Sequence, residues 1–226
     1  MGGTAKMNGA PQESNSGTIG KFSVALGLFD YINPIFYGVT AITIIIKMFG
    51  NMSRPTFVIF AFGAFVSLIF GLTIPTVKLL VGLGKMQFKM PVNLVSYVNT
   101  GILLSGIALF SHVVQIQLLA LVLILLLFAA AIGFLWHKTG RFNTAAVLVG
   151  AVGYLMIYVS MITLSVRNSS PFPIILYALA ICLFVFLCLI GILSNLKNAK
   201  VHWTIEISNV VCQLSVALAT ILLLCR

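Results

Sequence analysis

The chain has 226 residues, of which 61% are hydrophobic and only 7% charged, and its formal net charge is +10. A soluble domain carries about 25% charged residues, so this composition cannot cover a water-soluble fold. The basic excess is spread over short loops instead of being gathered on one face, which argues against a nucleic-acid surface and for topology and contact with anionic lipid head groups.

Residues 1–21 are polar, rich in Gly, Ser and Asn, and hold no apolar segment of the kind a signal peptide needs, so they read as a disordered tail. The Met1-Gly2 start does not open a myristoylation motif, because Lys6 stands where Ser or Thr is required. Residues 22–226 read as a single all-α domain, a polytopic transmembrane helix bundle of about seven spans. Apolar runs of about 18 residues or more recur along it, each long enough to cross a hydrocarbon core. Lipid offers the backbone no hydrogen-bond partner, which favours helices. A run such as Leu118 to Phe128 lacks the alternation of a barrel strand.

The first span is expected over Tyr31 to Phe49. An extension back to Phe22 would carry Asp30 about a third of the way into the bilayer and let Asn33-Pro34 break the helix. The second runs from Pro55 to Thr76, with Lys78 joining it if the helix continues past Pro75. The third, Val92 to Phe110, opens with Asn93, Ser96, Tyr97 and Thr100, a spacing that lays four polar groups along one helical face. The fourth, Val114 to Trp136, is the most uniformly apolar and is expected to face lipid. The fifth is Thr144 to Val166, where Gly150, Gly153 and neighbouring alanines permit close helix packing. The sixth is Pro173 to Leu193. The seventh, Ile205 to Leu224, carries Glu206, Asn209 and Gln213 on one face. Cys182, Cys188, Cys212 and Cys225 lie in or beside the spans with no metal-binding spacing and read as small hydrophobes. Trp136 and Trp203 read as interfacial anchors.

Counting Lys and Arg on alternate sides orients the bundle. Lys6, Lys21, Lys78, Lys85, Lys89, Lys138, Arg141, Lys197 and Lys200 fall on one side, and Lys47, Arg54, Arg167 and Arg226 on the other, which accounts for all 13. The amino terminus is therefore expected in the cytoplasm and the carboxyl terminus outside. The sequons at Asn51 and Asn168 both fall in loops on the outer side.

The segments NMSRPTFVIFAF, from Asn51, and NSSPFPIILYAL, from Asn168, share an Asn/Ser turn, a proline and a Phe-bearing apolar run. Spans three and seven both follow a loop with two lysines. Three spans, a Leu-rich linker span and three more in the same orientation would make a parallel repeat, an arrangement that some transporters use.

Polar groups inside a bilayer face a protein interior, a cavity or a partner. The stripes of spans three and seven are expected either to enclose a polar cavity open to the cytoplasm or simply to hold the bundle together by hydrogen bonds. Asp30, Glu206 and Lys78 fall near the same end, where a buried pair would couple transport to a proton or cation, or form a plain salt bridge. Asp30, Asn93, Ser96, Tyr97, Thr100, Glu206, Asn209 and Gln213 are the candidate ligand-binding residues, with Lys78 as charge partner. No catalytic residue, metal site or cofactor is expected: no nucleophile elbow, zinc motif or phosphate loop occurs, and His112, His137 and His202 fall at interfaces on mixed sides. Three functions remain open. One is a small transporter for an anionic or amphipathic ligand, suggested by the basic loops. Another is a non-catalytic accessory subunit of a larger membrane complex, as a homo- or hetero-oligomer. The third, a lipid-modifying enzyme, has only Asp30, Glu206 and the histidines to draw on. The expected partners are membrane lipids and not nucleic acid.

Overall fold

The computed structural model describes residues 24–85, 93–117, 142–193 and 199–225, with positions 122, 123, 130 and 133 in between. The expected tail, and most of the expected fourth span, lie outside these described residues. Every described element is an α-helix, and six stretches are long and apolar enough to cross a membrane, which fits an integral, multi-pass membrane protein.

The first span takes the longer form, as α1 (Val24–Asp30) and α2 (Ile32–Met48) divided at Tyr31. Pro34 has no N–H to give the Asp30 carbonyl, so the ladder loses a rung at that place. A proline is tolerated in the first turn of α2, whose leading N–H groups have no intrahelical partner in any case. The second span, α3 (Arg54–Gly82), is started by Ser53, whose hydroxyl accepts from the Thr56 N–H at 3.4 Å. It runs through the buried Pro75, which has no N–H for the carbonyl of Gly71, and so carries Lys78 on the helix. Its 29 residues extend roughly 43 Å, more than the hydrocarbon core requires.

The expected third span is α4 (Asn93–Val114), the expected fifth α5 (Phe142–Arg167), the expected sixth α6 (Pro171–Leu193) and the expected seventh α7 (Ala199–Leu224). Helix α3 packs along α4, α4 along α5, α6 along α7 and α2 along α7, with lesser contacts between α2 and α3 and between α5 and α6.

Small residues set the closest approaches. A Cβ on Gly63 would lie 2.6 Å from the Gly101 carbonyl oxygen, and one on Gly153 2.6 Å from the Leu103 nitrogen, so these two seams exist only because no side chain stands there. Ser67 Oγ reinforces the first seam by donating to the Val98 carbonyl at 2.8 Å.

The direction of the helices follows from what each end touches. Gly106 meets Gly153, and further on Arg167 Nη1 donates to the Val113 carbonyl at 2.8 Å, so α4 and α5 run parallel. Helices α2 and α7 are also parallel: Asn33 bonds Glu206 at one end, while Lys47 and Met48 share a groove with Leu223 and Leu224 at the other. The buried centre holds Tyr37, Ile44, Phe60, Leu109, Tyr158, Met161 and Tyr177, while Ile46, Phe62, Phe65, Val166 and Ile175 are exposed on the outside. Such an apolar rim suits lipid as the surrounding solvent.

Candidate functional site

Two stripes of the same design face each other across the parallel pair α2 and α7. The first span places Asp30, Asn33 and Tyr37 at i, i+3 and i+7, and the last places Glu206, Asn209 and Gln213 at the same spacing. In each, an acid is followed one turn on by an amide and two turns on by a further polar group, and all of these except Glu206 line one cavity. Helical periodicity puts each set on a single face.

At the mouth of this cavity Lys78 reaches across from α3. Its Nζ lies 2.5 Å from Asp30 Oδ2 and 3.4 Å from Glu206 Oε1. Asn33 Nδ2 donates to the other Glu206 oxygen at 3.2 Å. Asp30, Asn33 and Glu206 are each only 8% exposed. Two carboxylates share one ammonium, leaving a formal charge of −1 when all three are ionised. The partnership is unequal, since Lys78 lies close to Asp30 and only at the limit of hydrogen-bonding distance from Glu206. The Asn33 carbonyl oxygen is buried without a donor, a state that costs free energy unless something fills it.

Behind the mouth the cavity measures about 160 Å³ and is walled by Asp30, Asn33, Pro34 and Tyr37 of the first span, by Ser67, Gly71, Ile74 and Pro75 of α3, by Val98 and Ile102 of α4, by Tyr154 of α5 and by Asn209 and Gln213 of α7. Gln213 Nε2 donates to the Tyr154 hydroxyl at 3.2 Å. Tyr37, Tyr154 and Gln213 also border a second, smaller space of about 20 Å³, lined further in by Ile44, Ile157 and Val216. Beyond these, toward the opposite end, Met48 and Leu223 form part of the base of a groove of about 580 Å³ that also includes Lys47, Asn51, Asn168 and Ser170.

The structure thus brings together Asp30, Lys78, Glu206, Asn209 and Gln213, but it corrects the expected role of α4. Tyr97 is 48% exposed and stacks on Phe70 with ring centroids 4.7 Å apart, and Thr100 is exposed. Ser96 is partly buried and does not border the cavity, and the side chain of Asn93 lies outside the described residues. The wall that α4 does supply is apolar, Val98 and Ile102, because the seam with α3 at Gly63 and Gly101 fixes its rotation. The partner of the α7 stripe is the first span, not the third. Asn33, Tyr37 and Tyr154 went unmarked as ligand-binding residues in the sequence, although Asp30, Asn33 and Tyr37 repeat the spacing that singled out Glu206, Asn209 and Gln213.

No protein-family model, curated protein or solved structure matches the chain.

Proposed function

We propose that the chain is a small transporter whose solute enters the bundle from the end that holds Asp30, Lys78 and Glu206, the end that the loop-charge count assigns to the cytoplasm. One observation carries this reading: a cavity whose wall includes Asp30, Asn33, Asn209 and Gln213 lies inside a bundle of otherwise apolar helices, with Lys78 and Glu206 bonded to that wall. Intramembrane ionisable groups are costly, and they mark substrate and ion pathways.

The charged groups on and beside the cavity wall set the solute class. Two carboxylates against one ammonium disfavour an anion, so the ligand expected from the basic loops gives way to a small solute that is neutral and polar, or cationic. The cavity of about 160 Å³ is smaller than the roughly 300–1,000 Å³ of drug-sized sites, which limits the solute to a few heavy atoms beyond the water it replaces.

Support for the transporter reading also comes from the pairing of helices. Helix α3 lies on α4 as α6 lies on α7, and α4 lies parallel on α5 as α7 lies parallel on α2. Tyr37 and Tyr154 precede Asn51 and Asn168 by the same number of residues, and Val98 and Ile102 of α4 share the one-turn spacing of Asn209 and Gln213 of α7. These correspondences are those of two parallel three-helix repeats with the cavity between them, the place where repeat-built transporters hold their substrates.

The test is uptake of a panel of small radiolabelled solutes (neutral amides, polyols, amines and carboxylates) into vesicles containing the purified chain. Uptake of a neutral or cationic solute, reduced at least about tenfold by Asn209→Leu, supports the reading. Retention no greater than in protein-free vesicles for every class removes it, and transport confined to carboxylates removes the assignment of solute class.

A further inference from the structure

We propose that the mouth cluster is a binding site for one small monovalent cation, ligated by the Glu206 carboxylate and the Asn33 amide oxygen while Lys78 stays with Asp30. This deepens the transporter reading by naming a coupling ion, and it rests on that reading for its role though not for the binding itself.

Charge is the first argument. With all three groups ionised the charges sum to −1, so one monovalent cation makes the cluster neutral as two pairs, Lys78 with Asp30 and the ion with Glu206, whereas a divalent ion would overshoot. Buried charges persist only when they are paired. Distance is the second: the ammonium lies 2.5 Å from Asp30 but 3.4 Å from Glu206, leaving Glu206 the less satisfied carboxylate. The third argument is independent of both. Asn33 is 92% buried, its amide is directed at Glu206 through the 3.2 Å contact, and its carbonyl oxygen has no donor. Rotation of this amide by half a turn presents an oxygen beside the Glu206 oxygen, the paired hard donors that alkali cations choose.

The backbone adds to this. Pro34 and Pro75 both line the cavity, and neither can bond the carbonyl one turn before it, at Asp30 and Gly71. Interrupted helices in transporters offer carbonyls of this kind to coupling cations.

The experiment measures thermal denaturation of the purified full chain in mild detergent at constant ionic strength and pH, titrating NaCl, LiCl or KCl against choline chloride. A saturable rise of the midpoint with an alkali cation, of roughly 5 °C at a hundredfold excess over the dissociation constant, supports the site. Glu206→Gln should abolish that rise, and Asn33→Leu should weaken it at least about tenfold in concentration, each with its choline midpoint as the check on folding. Equilibrium binding of radioactive sodium to the unmodified chain keeps the proposal testable if either variant fails to fold, with about one ion per chain expected under the charge argument. Identical midpoints in all salts together with no bound sodium overturn the site. So does a rise of the midpoint that is the same in every salt when the series is repeated at lower pH, which makes the ligand a proton. Sodium binding without uptake of any solute would leave the site standing while the transporter reading falls; uptake indifferent to alkali cations, with none bound, would do the reverse.

Discussion

Lys78 is the cation that both buried carboxylates share. Removing one member of a buried ion pair leaves an uncompensated charge and costs about 3–5 kcal/mol, whereas replacing the whole set by neutral groups is often close to neutral. Lys78→Met should therefore lower the thermal midpoint more than Asp30→Asn does, and the double variant Lys78→Met with Asp30→Asn should recover part of the loss. Equal, additive losses in this cycle would show that the 2.5 Å contact contributes no coupling. The buried bond between the Tyr177 hydroxyl and Thr220 Oγ1 at 2.7 Å is a milder case. Interhelical hydrogen bonds in membranes contribute about 0.6 kcal/mol on average, so Tyr177→Phe should cost on the order of 1 kcal/mol or less. A denaturation series in detergent separates that small effect from the large one at Lys78. Residue identity alone reveals that Asp30, Lys78 and Glu206 are exceptional, since only three acids occur in the whole chain. It does not reveal that Lys78 favours Asp30 over Glu206, because that depends on where Pro75 leaves the end of α3.

Among the elements, α4 and α5 are defined by what they lack. Their seam at Gly106 and Gly153 brings backbone against backbone, and a Cβ on Gly153 would meet the Ile102 carbonyl carbon at 2.8 Å as well as the Leu103 nitrogen. Gly153→Val should force the two helices apart and cause a large loss of stability, while Gly50→Ala, at a turn position with nothing within 4 Å of the added carbon, should leave the midpoint within about 1 °C, as surface changes away from special features generally do. Comparable losses at both positions would mean that the seam is not what limits stability. The spacing of small residues in the fifth span was legible, as was the polar face of α7. The partner of that face was not. A helical stripe specifies a direction perpendicular to its own axis, and which neighbour stands there is decided by all the other seams together. Because Gly63, Gly101 and Ser67 lock α3 to α4, the α4 stripe turns outward, with Tyr97 resting on Phe70.

For the molecule as a whole, the cavity is closed toward the end that bears Lys47 and Arg167. Ile44, Ile157 and Val216 stand at its inner limit and Met48 and Leu223 at the base of the opposite groove, all buried. Ile44 and Met48 are one turn apart, so the barrier is roughly 6 Å thick. A transporter in this state admits solute from one side only. In a cysteine-free background, Asn209→Cys should react with a membrane-impermeant thiol reagent added from the Asp30 side and stay unreactive from the other, while Met48→Cys should be protected from the Asp30 side. Labelling of Asn209→Cys from both sides would indicate a continuous pore. The six apolar stretches alone leave the sense of insertion open, and this labelling, done on sealed vesicles of known orientation, also tests whether the cavity opens to the cytoplasm as the loop charges predict.

What the amino-acid sequence determined by itself was the solvent and the secondary structure: with so few charges and such long apolar runs, only helices in lipid satisfy the backbone. It also marked the acids, the lysine just past Pro75 and the amide stripe of the last span, because polar groups stand out wherever they are costly. Only the tertiary structure decided that the first and last spans face each other, that Asn33 meets Glu206, and that one wall of the cavity is apolar. Those outcomes depend on contacts between residues far apart in the chain, such as the 173 positions that separate Asn33 from Glu206, and periodicity within a single helix carries no information about them.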